Sequence, residues 1–290
     1  GDILVSYAIA GVAIALVRNW KPRTLFVLGL FSAIGMSLCI NTLFALMVSY
    51  FPPEVLKEMH AAADLTSEQN VTEIAAYTGP WFGQLLHRVP TSLMMHLFIV
   101  PFFIFWRAMG LMLIGMALYR WGVLSAKRSA QFYVAMMVVG FLIGLPLIAI
   151  GVWQKSINVW DPVRQNFIDG NWNIVGALFV ACAWIGLVML CCKQQWQPLV
   201  RRSLGAVGRM ALTNYIGQSV ICTYLFYGHG LAWFGQVGRV QLLGIVVVIW
   251  IFQIIFSLIW LRFFRFGPLE WAWRSATYLK LQPLLVSSKT

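Results

Sequence analysis

Gly208-Arg209-Met210-Ala211-Leu212-Thr213-Asn214-Tyr215 opens an apolar run from Met210 to Tyr227. A short Gly/His loop follows, then a second run from Leu242 to Leu261. The stretch closes on Arg262-Phe263-Phe264-Arg265-Phe266-Gly267-Pro268-Leu269-Glu270-Trp271-Ala272-Trp273-Arg274. Roughly 17 or more residues without a charge can cross a bilayer, whereas a soluble core helix seldom needs so many. The stretch reads as two membrane helices followed by a basic, aromatic tail, and lipid becomes the expected solvent for the whole chain.

Working outward, hydrophobic residues form 60% of the chain and charged residues 10%, against about 45–50% and 25% in soluble domains. Too few charges are present to cover a soluble surface. Five further apolar runs precede the pair: Ile3 to Val17, Leu25 to Tyr50, Leu93 to Leu118, Phe132 to Val152 and Ile174 to Cys192. The expected fold is all-α, a polytopic transmembrane helix bundle of about seven spans forming a single domain over residues 1–290. Residues 52–91 read as an outer-side loop with short amphipathic helices, because Pro52-Pro53 stops the second run and apolar residues then recur at helical spacing between acids.

The formal charge of +12 is spread over alternate connections. Arg18, Lys21 and Arg23 follow the first run, Arg120, Lys127 and Arg128 the third, Lys193, Arg201, Arg202 and Arg209 the fifth, and Arg262, Arg265 and Arg274 the seventh. The remaining connections hold most of the acids. By the positive-inside rule the basic loops are cytoplasmic, which puts Gly1 outside and Thr290 in the cytoplasm. Nucleic acid is not an expected partner, since its binding needs the charge gathered on one soluble face; the lipid bilayer is. The five cysteines form no CxxC pair, so neither a disulfide framework nor a metal site is indicated.

Several residues carry candidate chemistry. Asp2, His87, His96 and His229 fall on the expected outer side, where a carboxylate can orient an imidazole that takes a proton from a hydroxyl acceptor. Interfacial histidines bonded to backbone and a helix-capping aspartate are the plainer alternative. Arg107 stands inside the third run, where burial costs on the order of 3 kcal/mol, so it is expected to face the bundle interior or water. It either binds an anionic substrate group or pairs structurally. Arg209, Asn214 and Gln218, with Thr213, lie at the basic start of the sixth run. A helix N-terminus beside an arginine favours phosphate; polar glue between helices is the other reading. Glu270 has Arg274 at i,i+4 spacing.

Gly208 to Tyr215, Gln218, Ile221-Cys222-Thr223, Phe226-Tyr227 and Phe266-Gly267-Pro268-Leu269-Glu270-Trp271-x-Trp273-Arg274 resemble the C-terminal region of the YeiB-like family of bacterial inner-membrane proteins, domain of unknown function 418. Gly1-Asp2-Ile3-Leu4 and Gly110 to Arg120 resemble further family motifs. The resemblance implies relatives among membrane acyltransferases and about three additional helices before the Gly-Asp motif, so the chain is expected to be the C-terminal part of a longer protein. It also implies residence in the bacterial inner membrane and transfer of an acyl group from a cytoplasmic acyl-CoA to an outer-side lipid or glycan acceptor, with no bound cofactor. The outer Asp/His set and the inner basic set are compatible with that chemistry. A transporter or channel for a small anion or lipid, or a non-catalytic scaffold, is the alternative.

Overall fold

The computed structural model describes residues 3–62, 68–158, 164–195 and 197–285; Asp2, Gly1 and Thr290 lie outside them. The helices are α1 Ile3–Val17, α2 Pro22–Ser49, α3 Pro53–Ala62, α4 Glu68–Thr78, α5 Trp81–Arg120, α6 Ala130–Ile157, α7 Phe167–Lys193, α8 Pro198–Arg209, α9 Ala211–Phe226, α10 Arg239–Phe263 and α11 Pro268–Thr277. Among the described residues no strand occurs beyond an isolated bridge between Phe264 and Leu285. The fold is all-α and polytopic. Among the described residues five helices, α2, α5, α6, α7 and α10, are long and apolar enough to cross a membrane, while α1 and α9 have 15 and 16 residues. The seven apolar runs thus become five helices of spanning length and two shorter ones. Large side chains such as Leu142, Val248 and Trp250 stand exposed on them, as lipid-facing positions require.

Local sequence explains most boundaries. Pro22, Pro198 and Pro268 occupy the first turns of α2, α8 and α11, where the missing N–H is not needed and φ is already set. Ser129 caps α6 by accepting from the Phe132 amide at 3.2 Å. One expectation needs correcting. Of the 52–91 connection, α3 and α4 are short helices, but from Trp81 onward the chain already belongs to α5. Pro90 and Pro101 lie inside that helix rather than ending it. Met95–Ile104 winds as a π-helix around Pro101, a wider turn that helps accommodate a ring and a missing donor. At 40 residues, α5 is about 60 Å long.

The single domain expected from composition groups by contact into two compact units. Unit 1 is Gly1–Gln69 with Arg88–Gln194, and unit 2 is Asn70–His87 with Gln195–Thr290. In unit 1, helices meet through small residues. A Cβ on Gly29 would lie 2.8 Å from the Gly110 carbonyl, and Gly144 and Gly176 face each other's carbonyls at 2.9 and 3.0 Å in the same sense. Without a hydrophobic force between helices in lipid, such close backbone approach supplies the packing.

One end of unit 1 is tied by its basic residues. Arg120 donates to the carbonyls of Trp20, at 2.6 Å, and Arg18. Lys193 donates to Arg128 O at 2.7 Å, and the buried Tyr133 hydroxyl donates to Val123 O at 2.8 Å. These contacts satisfy carbonyls left over at helix ends. At the other end Asn41 donates to Asn171 at 2.7 Å and Trp172 to Gln154 at 2.7 Å. There Asp169 is 1% exposed, with Asn158 Nδ2 3.4 Å from one carboxylate oxygen and Arg164 Nε 3.7 Å from the other.

Candidate functional site

Unit 2 has a basic end, where α9 begins, and an aromatic end, where α9 finishes. The 16 residues between them put these ends about 24 Å apart.

At the basic end the structure gives Glu270 a different partner from the Arg274 suggested by spacing. Its carboxylate accepts the Thr213 amide at 3.0 Å and the Thr213 hydroxyl, and that hydroxyl accepts the Leu269 amide at 3.2 Å. Arg274 instead stacks over Phe266, 4.6 Å from the ring centroid. An acid brought by α11 therefore caps the first turn of α9, where an anion is stabilised by unpaired N–H groups. Asn214 is buried, donating to Val207 O at 3.2 Å and Ser257 Oγ at 3.0 Å, while its carbonyl accepts Gln253 at 2.8 Å. These bonds knit α8, α9 and α10. Gln218 lies half-buried on α9. Arg209 donates to Arg265 O at 2.9 Å, and with Arg202, Arg262 and Arg265 it is exposed.

At the aromatic end the connection after α9 folds tightly against α4. The Gly228 amide donates to Tyr77 O at 3.0 Å. A Cβ at that position would collide with the carbonyls of Thr78 and Gly79, so only glycine permits the approach. Three rings and two imidazoles gather there. Tyr77 packs on Tyr227 at 5.2 Å and on Phe234 at 4.8 Å; His87 meets Tyr77 edge-on at 5.5 Å, and His229 meets Tyr227 edge-on at 5.9 Å. Beside them lies a cavity of about 390 Å³ lined by Cys222, Thr223, Phe226, Tyr227, Trp233, Phe234 and Leu242, among others. Its volume falls in the ordinary range of small-molecule sites.

Gln84 orients one of the imidazoles. It is 2% exposed, and its amide nitrogen donates to Gly79 O at 2.7 Å, which turns its oxygen toward His229 Nδ1 at 3.4 Å. Nδ1 must then carry the proton, leaving the Nε2 lone pair available. His96, in the π-helical part of α5 and in unit 1, is set in the same tautomer by donating from Nδ1 to Ser92 O at 2.7 Å. Gln84 was not singled out in the sequence, nor was Tyr77, because each meets its partner across about 145 to 150 positions. Of the sequence candidates, unit 2 brings His87 and His229 to one aromatic cluster, Asn214 and Gln218 to α9, and Arg209 to the end of α8 just before it. His96 and Arg107 belong to unit 1.

Arg107 lines a second cavity, of about 220 Å³, together with Ala33, Ile34, Leu111, Ile174, Ala177, Leu178 and Ala181.

Comparison with known proteins places the chain in a family. A family model described as protein of unknown function (DUF418) matches residues 118–280, more than half of the chain. The chain is 38% identical over 189 residues to YeiB of Escherichia coli (strain K12), an alignment covering 64% of this chain and 47% of that protein. It is 27% identical over 293 aligned positions to YxaH of Bacillus subtilis (strain 168), covering 100% of this chain and 69% of that protein. A 39.9 kDa protein from the amylase 3′ region of Bacillus acidopullulyticus is 40% identical over 95 residues, covering 32% of this chain and 27% of that protein. The chain thus spans about half the length of YeiB. No solved structure matches it.

Proposed function

Taking as premise that the chain belongs to the DUF418 family, we propose that it acts in the bacterial inner membrane as an acyltransferase, with the aromatic end of unit 2 outside and the basic end in the cytoplasm. The observation that carries this reading is the apolar cavity beside His229, whose Nε2 is left free by the Gln84 contact. An apolar wall suits an acyl chain, and a neutral imidazole suits removal of a proton from an acceptor hydroxyl. In the transfer, the acceptor oxygen bonds to the thioester carbonyl carbon, the carbon–sulfur bond breaks, and the proton taken by His229 passes to the departing thiolate.

Cytoplasmic acyl-CoA is the proposed donor. Its phosphates suit the exposed guanidiniums of Arg202, Arg209, Arg262 and Arg265. The first turn of α9 is a poorer phosphate site than its position suggests, because the Glu270 carboxylate already occupies it. Gln218 is the polar side chain proposed to meet the substrate further along α9, whereas Asn214 acts through packing. His87 and His96 are proposed as further proton-handling groups, with Asp2 as the carboxylate that orients an imidazole. An outer-side lipid or glycan supplies the hydroxyl.

Full-length protein in liposomes with radiolabelled acetyl-CoA tests the reading. Label in lipid, glycan or protein above a heat-killed control is expected, and His229→Gln should lower the rate by about 100-fold or more. No label above the control removes the enzyme reading. Cysteines placed at Ser203 and Gln236 should be reached by impermeant reagent from opposite sides; reactivity from one side only overturns the orientation.

A further inference from the structure

The Arg107 cavity of unit 1 plays no part in the transfer chemistry above. Its charge sits deep. Arg107 precedes Arg120 by 13 positions on one helix, about 20 Å along the axis. Arg120 is held at the basic end of the unit by the carbonyls of Arg18 and Trp20. In a hydrocarbon layer about 30 Å thick, a cation at that depth needs a partner or water. Among the described residues, none of the five guanidinium N–H donors of Arg107 is engaged in a hydrogen bond or ion pair.

The rest of the wall is aliphatic, three alanines among isoleucines and leucines. Ala33 and Ile34 come from α2, Leu111 lies one turn from Arg107, and Ile174 to Ala181 cover about 10 Å of α7. Leu111 and Ala181, at its edge, are exposed, which leaves a lateral way in from the acyl-chain region. About 220 Å³ is below the usual range for drug-sized ligands, so the occupant is small. A single guanidinium neutralises one negative charge. A carboxylate satisfies it with two parallel hydrogen bonds, whereas a doubly charged phosphate leaves charge unbalanced in a low dielectric.

We propose that this cavity binds a small carboxylate amphiphile, the carboxylate on Arg107 and a short aliphatic tail along the Ile174 to Ala181 face of α7. The site is independent of the acyl-transfer reading, and either stands if the other fails.

The test uses purified full-length protein with a photoactivatable eight-carbon carboxylate, its methyl ester and the corresponding alkyl phosphate. The carboxylate should crosslink peptides containing Leu111 or Ile174 to Ala181, with unlabelled octanoate competing. Arg107→Gln should weaken crosslinking at least 10-fold. Ala177→Leu, which fills the cavity and keeps the charge, should weaken it comparably, so the inference stays testable if the arginine variant does not fold. Labelling by the ester equal to that by the carboxylate, or unchanged labelling in folded Arg107→Gln or Ala177→Leu, overturns the site. Equal labelling by the alkyl phosphate overturns its carboxylate selectivity.

Discussion

Unit 1 and unit 2 differ in what runs between their helices: unit 1 adds glycine contacts along the helices to polar ties at its ends, and unit 2 relies on polar side chains. In unit 1, α2 meets α5 and α6 meets α7 through glycines that let backbones touch, at Gly29 with Gly110 and at Gly144 with Gly176. In unit 2, polar side chains reach between elements: Glu270 to Thr213, Asn214 to Ser257, Gln253 to Asn214 and Arg209 to Arg265. Packing by small residues tolerates no added volume, whereas polar stitching tolerates volume but not loss of a donor or acceptor. The difference also separates candidate chemistries. The tyrosine–histidine cluster and its cavity occur where polar side chains set orientation, and the Arg107 guanidinium occurs in an otherwise aliphatic gap between helices.

The contrast can be broken by substitutions matched to each mode. Gly144→Leu inserts a side chain against the Gly176 carbonyl and should destabilise unit 1 by about 3 kcal/mol or more. Hydrogen exchange should rise across α6 and α7 before α9; uniform loosening of both units would mean that they do not differ as argued. Glu270→Ala removes the acid that caps α9 and should lower stability by about 2 to 3 kcal/mol. Thermal unfolding in detergent measures the loss, and Glu270→Gln should recover part of it.

Asn214→Leu, which keeps bulk and the backbone carbonyl that accepts Gln253 but removes the donor to Val207 O and Ser257 Oγ, should cost about 1 to 2 kcal/mol in the same assay. Tyr133→Phe sharpens the comparison from the other side, since within a glycine-packed unit it removes the hydroxyl that donates to Val123 O and accepts the Arg128 amide. About 1 kcal/mol is expected. A larger loss would mean that the polar ties at the ends of unit 1 outweigh its glycine contacts.

Runs such as Phe132 to Val152 and Leu242 to Leu261 announce their helices because lipid demands an unbroken apolar length. The start of α5 at Trp81 was hidden, because Pro90 and Pro101 look like breakers until a π-helical turn absorbs one of them. Gly140-Phe141-Leu142-Ile143-Gly144 is a small-xxx-small pattern readable in the chain; its partner on α7 is not, since no local rule names the facing helix. The site divides in the same way. Histidines and arginines stand out by rarity in an apolar chain. The cap by Glu270 joins positions 57 apart and the Gln84 contact joins positions 145 apart, and neither separation leaves a periodic trace. Spacing offered Arg274 to Glu270, and the nearer, less solvated amide of Thr213 won.

The length of α5 has a consequence for the membrane in which the protein resides. About 60 Å of helix exceeds a 30 Å hydrocarbon layer twofold, so the Trp81 portion stands in the headgroups or beyond, and the boundary, about 20 residues from Arg120, is followed by an apolar slope of Phe98, Leu97, Met94 and Leu93 rather than a sharp edge. Thickening the bilayer by a few ångströms would immerse those side chains at little energetic penalty and leave His87 wet. The helix is therefore matched to a range of lipid compositions, and growth-temperature changes in chain length should shift its immersion before they disturb its packing.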